Sequence, residues 1–147
     1  MSFEILSVII MSVLPISELR GAIPLGLGLG LDPMLVIPVS VFFNIMVFFP
    51  IFFGLMVIKD TILYRSKLIQ GQLSRIQMKR NKVDKYGYFG LFLLVAIPLP
   101  FTGAYTGTIL AWLLGLDWKK SFVAVTAGVI TAGLIVSLLS LGVINFF

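Results

Sequence analysis

Glu18 and Arg20, in the stretch SELRGAIP, stand between long apolar runs in a chain where only 12% of residues are charged. A carboxylate moved out of water tends toward its protonated form, and a nearby guanidinium opposes that. Such a group can exchange protons as its surroundings change, so Glu18 is the candidate proton-coupling residue. A guanidinium offers a planar fork matched to phosphate or carboxylate. That makes Arg20 the candidate anion-binding residue. Ser17, Thr102 and Tyr105 are further substrate-binding candidates, and Thr106 and Asn44 are weaker candidates for the same cavity. Asn44 can equally serve as a hydrogen bond between helices. The competing reading of Glu18 and Arg20 is a static ion pair that holds a turn. At i, i+2 the two side chains diverge on a regular helix, so pairing would need turn geometry or partners elsewhere. Ionisable groups inside a membrane are costly and are read first as functional.

What positions these residues depends on the solvent. The 147 residues are 59% hydrophobic, and the mean hydropathy is +1.11. Residues 34–58 and 121–147 carry no charge. A bilayer core of roughly 30 Å is crossed by about twenty apolar residues in a helix, so both stretches are long enough to span it. The expected class is an all-α integral membrane protein with a single domain, residues 1–147. The N-terminal apolar run has no preceding Lys or Arg, carries Glu4 and lacks a small-residue cleavage site, so it reads as mature sequence rather than a signal peptide.

Without Cys or His, the chain offers no disulfide, thiol chemistry or ordinary zinc site. No metal or other cofactor is expected. An enzyme is the least favoured class, because no nucleophile–base constellation is visible. Eight of the eleven Lys and Arg residues fall between Lys59 and Lys85. Basic loops stay in the cytoplasm, so residues 59–87 are expected there. This accounts for the net charge of +5 without invoking nucleic acid.

Shifted by 85 residues, LPISELRGAIPLGLGLGLD from Leu14 and LPFTGAYTGTILAWLLGLD from Leu99 fall into register, with seven of nineteen positions identical. Pro15 and Pro100 interrupt the apolar runs. Ser17 and Thr102 follow as expected N-caps of new helices. Small residues recur at Ala22, Gly26, Gly30 and at Gly107, Ala111, Gly115, a stripe that lets backbones approach closely in lipid. Asp32 and Asp117 are expected to cap the helices that follow.

The pieces on either side of each Pro are too short to cross alone, each reaching roughly half to two-thirds of the hydrocarbon. A broken pair is either one kinked span or a re-entrant hairpin. Two re-entrant hairpins put Lys119 and Lys120 on the same side as the basic loop, which satisfies the positive-inside rule throughout. The expected architecture is an inverted repeat of re-entrant helical hairpin plus transmembrane helix. Repeat 1 is residues 1–58, repeat 2 is residues 88–147, and a cytoplasmic amphipathic helix fills 59–87. That linker has Ile62, Ile69, Leu73, Ile76 and Val83 near helical spacing and would lie on anionic lipid. The hairpin tips would meet near the midplane, where two helix N-termini and Arg20 favour an anion.

At SELRGAIP and PLPFTGAYTGTILAWLLGLDW the chain resembles the small multidrug export protein family of bacteria and archaea, over nearly its whole length. The layout also looks like the DedA (VTT) superfamily, whose members are implicated in moving lipids, including polyprenyl phosphates, between leaflets. That resemblance implies a glutamate in the first hairpin, which Glu18 matches, and an Arg after a Pro in the second. Residues 100–105 contain no Arg, so Arg20 would have to take that role. The expected function is a small transporter or lipid translocase in the cell membrane, multi-pass, moving an amphiphilic or lipid-phosphate substrate, with protons as the candidate coupling ion. A homodimer is expected, since two spans alone hardly enclose a pathway. The alternative is a membrane-remodelling or assembly protein acting through its basic helix.

Overall fold

The structure, a computed structural model, describes residues 2–65 and 80–147. Its elements are α1 (Ser2–Val13), α2 (Glu18–Gly28), α3 (Pro33–Met46), α4 (Phe48–Arg65), α5 (Arg80–Ala96), α6 (Ala104–Leu113) and α7 (Trp118–Phe146). No strand occurs among the described residues. The helices begin and end close to the Pro, Gly and Asp signals of the sequence. Asp32 caps α3 by accepting from the Met34 N–H at 2.9 Å, with Pro33 in the first turn. Pro50 has no N–H for the Met46 carbonyl, and the helix divides at Val47, between α3 and α4.

Two stretches are long and apolar enough to cross a membrane, Pro33–Lys59 and Trp118–Phe146. At 1.5 Å per residue each is about 40 Å long. They run antiparallel. Val41 faces Gly133, Phe49 meets Phe122 with ring centroids 4.9 Å apart, and Phe53 meets Trp118 at 5.6 Å.

Against each long stretch lies a pair of short helices. α1, α2 and α3 pack on one another, as do α5, α6 and α7. Any methyl at Gly26 of α2 would strike Val8 of α1 and Val36 of α3, so α2 runs back between two helices that point the same way. Gly107 of α6 likewise abuts Val95 of α5 and Val125 of α7. These close approaches are what small residues provide where lipid supplies no hydrophobic drive between helices. The two sets then interlock: α2 packs on α7, α6 on α4, and α3 on α7.

The similarity at spacing 85 extends to the backbone. After α2, Gly30 has φ +79° and after α6 Gly115 has φ +66°. In each case the next residue's N–H returns to a carbonyl five positions earlier, Leu31 to Gly26 at 3.1 Å and Leu116 to Ala111 at 3.0 Å. This is a Schellman terminator, which needs a left-handed residue that Gly supplies without strain. Gly30 and Gly115 were expected to extend the close-packing stripe. They serve as terminators instead, and a side chain at either would meet nothing.

Other boundaries shift. α4 continues to Arg65 and α5 begins at Arg80, so helix enters the expected linker 59–87 from both ends. The centre of the expected amphipathic helix, residues 66–79, lies outside the described residues. Asp117 stands at the N-cap of α7 with extended backbone, but its side chain makes no capping bond. Its N–H donates instead to the Tyr88 hydroxyl at 3.1 Å.

Candidate functional site

The turn between α1 and α2 meets the loop between α5 and α6, and the sequence candidates gather there. Glu18, the first residue of α2, has φ +48°, a left-handed backbone that costs a non-glycine residue about 1–2 kcal/mol. Its side chain is buried and crosses to the other set of helices. Oε2 accepts from the Ala104 N–H and Oε1 from the Tyr105 N–H, both at 3.3 Å. These are first-turn donors of α6, whose N-cap Gly103 has no side chain to offer. Glu18 therefore caps a helix that lies 86 residues away in sequence, placing a negative charge where the helix dipole favours it. Gly103 makes room for it, since any methyl there would overlap the carboxylate.

Arg20 makes the second crossing. Its Nη2 donates to the Thr102 hydroxyl at 3.1 Å and to the Ile97 carbonyl at 3.4 Å, just past the C-terminus of α5. Tyr105 returns the gesture: its hydroxyl donates to the Val13 carbonyl, the last residue of α1. Arg20 and Tyr105 are matched at spacing 85, and each satisfies a carbonyl at the end of the other set's first helix. Glu18 and Arg20 thus each engage the second set of helices.

Ser17 and Thr102 come to the site but do not cap. Ser17 has helical backbone angles and donates to the Met11 carbonyl at 2.8 Å, closing its own turn. Thr102 donates back to Leu99 or Ile97, at 2.8 and 2.9 Å. The capping expectation fails because a hydroxyl on so tight a turn reaches the preceding carbonyls before the following N–H groups. Thr106 is exposed, bonded to the Phe101 carbonyl at 2.7 Å.

Asn44 is fully buried. It donates to the Ser12 carbonyl at 3.0 Å, tying α3 to α1, and its Oδ1 has no partner. It shares a narrow interior gap with Glu18, Arg20 and Ala104. On the other side of Glu18 a polar crevice opens between Ser17, Arg20, Thr102 and Thr106. Water can occupy about 20 Å³ of it, room for one molecule. Nothing larger enters without the tips parting.

Sequence reasoning missed the role of Gly103, although the 85-residue register pairs it with Glu18 and so flags a vacancy opposite an acid. It also missed the Tyr105 hydroxyl bond, for which the sequence holds no signal.

The chain matches no curated protein and no solved structure. Residues 18–135 match the family model described as "Putative small multi-drug export protein". The match begins at Glu18, takes in both tips and reaches well into α7. With two helices of membrane-spanning length and a match over most of its residues, this membrane protein belongs to the small multi-drug export protein family.

Proposed function

We propose that the chain is a proton-linked transporter or translocase for an amphiphilic anion, with the tip contact as its gate. The carrying observation is that the Glu18 carboxylate occupies the N-terminus of α6, beside Arg20. Helix N-termini bind anions, so Glu18 acts as a resident anion that an incoming phosphate or carboxylate displaces. Protonating Glu18 removes its charge and weakens its hold on the two N–H groups. Those two donors then become free for substrate beside the Arg20 guanidinium, which stays bonded to Thr102 and Ile97, and reloading of the carboxylate expels it.

In this reading the two short-helix pairs are re-entrant hairpins entering from opposite faces, an inverted repeat like that implied by the DedA resemblance. The antiparallel long helices support it, as do the matched terminators. Irregular backbone at depth is tolerated where protein surrounds it, and broken helices meeting at the midplane are a transporter architecture. Residues 59–87 lie in the cytoplasm, and two copies pair in the cell membrane to enclose the pathway.

The test uses vesicles with a fluorescent anionic lipid and an imposed pH gradient. Glu18→Gln is expected to abolish gradient-dependent movement, and Arg20→Gln to weaken transport of the anionic probe more than of a zwitterionic one. Normal transport by both variants overturns the assignment. Loss of function on charge reversal at Arg75, Lys79 and Arg80, with both tip variants intact, favours an assembly protein acting through its basic segment.

A further inference from the structure

A second feature lies away from the tips, on the outer face between α5 and α7. Tyr88, Phe89 and Phe92 of α5 and Val123, Ala124 and Ala127 of α7 line an open groove of about 640 Å³ that is almost wholly apolar. That size is typical of small-molecule sites, whereas the tip crevice holds a single water. Lys119 and Lys120, in the first turn of α7, line its head, and both are exposed. Their ammonium groups rest over aromatic rings, Lys119 5.7 Å from Trp118 and Lys120 5.9 Å from Tyr88, and such cation–π contacts hold a cation in place. Trp and Tyr beside Lys at the start of a spanning helix mark the membrane–water boundary. In sequence, Arg80, Lys82, Asp84 and Lys85 precede Tyr88, and Asp117 precedes Trp118.

An apolar trough about 12 Å long along α7, headed by two cations at the interface, has the polarity of a phospholipid. We infer that the groove binds one anionic phospholipid from the adjoining leaflet, its phosphate at Lys119 and Lys120 and one acyl chain against Phe92, Val123 and Ala127. The charge at the groove head selects an anionic lipid over a zwitterionic one. The site is separate from the Glu18–Arg20 contact and stands whether or not that contact transports anything.

The experiment is native mass spectrometry of the full chain in neutral detergent, with phosphatidylglycerol and phosphatidylcholine of matched chains in equal amounts. The wild type is expected to retain phosphatidylglycerol about tenfold to thirtyfold over phosphatidylcholine, the preference two interfacial cations supply. Lys119→Gln with Lys120→Gln should bring the ratio to about unity, and Lys119→Arg with Lys120→Arg should keep it. Ala127→Trp, which fills the trough and leaves the cations, should lower retention of both lipids. Val123→Trp, at another exposed position in the trough, gives the same reading if the first variant does not fold. Excess glycerol phosphate should leave the lipid in place, which separates a bound lipid from a bound headgroup. Equal retention of both lipids by the wild type overturns the inference. So does an unchanged preference in the double Gln variant, wild-type retention in the folded Trp variants, or displacement by glycerol phosphate.

Discussion

Gly103→Ala tests whether Glu18 is the cap of α6. Gly103 has φ −177°, extended backbone that alanine adopts freely, so the cost of the substitution comes from contact alone. The new methyl would overlap the Glu18 carboxylate, and forcing one extra carbon into packed structure costs about 1–3 kcal/mol. Glu18→Ala removes two bonds of 3.3 Å to first-turn N–H groups. Polar bonds between membrane helices contribute about 0.6 kcal/mol on average and up to about 1.7, so this loss is about 1–3 kcal/mol. The substitutions share one cause and should not add. The double variant is expected to be no less stable than Glu18→Ala, so the coupling in the cycle equals the full cost of Gly103→Ala, about 1–3 kcal/mol. The assay is unfolding of the purified chain in mixed micelles titrated with a denaturing detergent. Gly28→Ala, whose methyl meets nothing, is the control and should be near neutral. Equal costs for Gly103→Ala with and without Glu18 would refute the capping geometry.

The two Asp residues that end the GLD motifs should separate in the same assay. Asp32→Ala loses a formed cap, worth about 1 kcal/mol, whereas Asp117→Ala loses no side-chain bond to its helix and should cost a few tenths at most. Tyr105→Phe removes the hydroxyl bond to Val13 and is expected to destabilise by about 1 kcal/mol. It should also speed amide exchange in both tips, as measured by mass spectrometry, and an unchanged exchange rate would count against their joining.

Much of this was legible in the sequence because its punctuation is local. Pro15 and Pro100 mark the breaks, the GLD motifs mark the helix ends, and the 85-residue offset marks the likeness, all acting within a turn of themselves. The two uncharged runs set the long helices in the same way. What failed was the partner of each polar side chain at the tips. Ser17 and Thr102 have the right chemistry for caps, but the tightness of the turn decides which backbone groups they reach. The true cap of α6 comes from Glu18 in the other set of helices, and one-dimensional spacing cannot carry that contact. The division at Val47 was readable in Pro50, but the unbroken hydropathy of residues 34–58 masks it.

The central claim, two helix pairs that dip into the membrane from opposite faces and join at their tips, is tested most directly by impermeant thiol labelling in sealed membranes. The sequence has no native Cys, so single substitutions at Ser2, Tyr86 and Lys119 report cleanly. The account predicts that Tyr86→Cys and Lys119→Cys label from one face and Ser2→Cys from the other, the outer one. If Ser2→Cys and Tyr86→Cys share a face while Lys119→Cys labels from the opposite one, each helix pair crosses completely and the account is wrong.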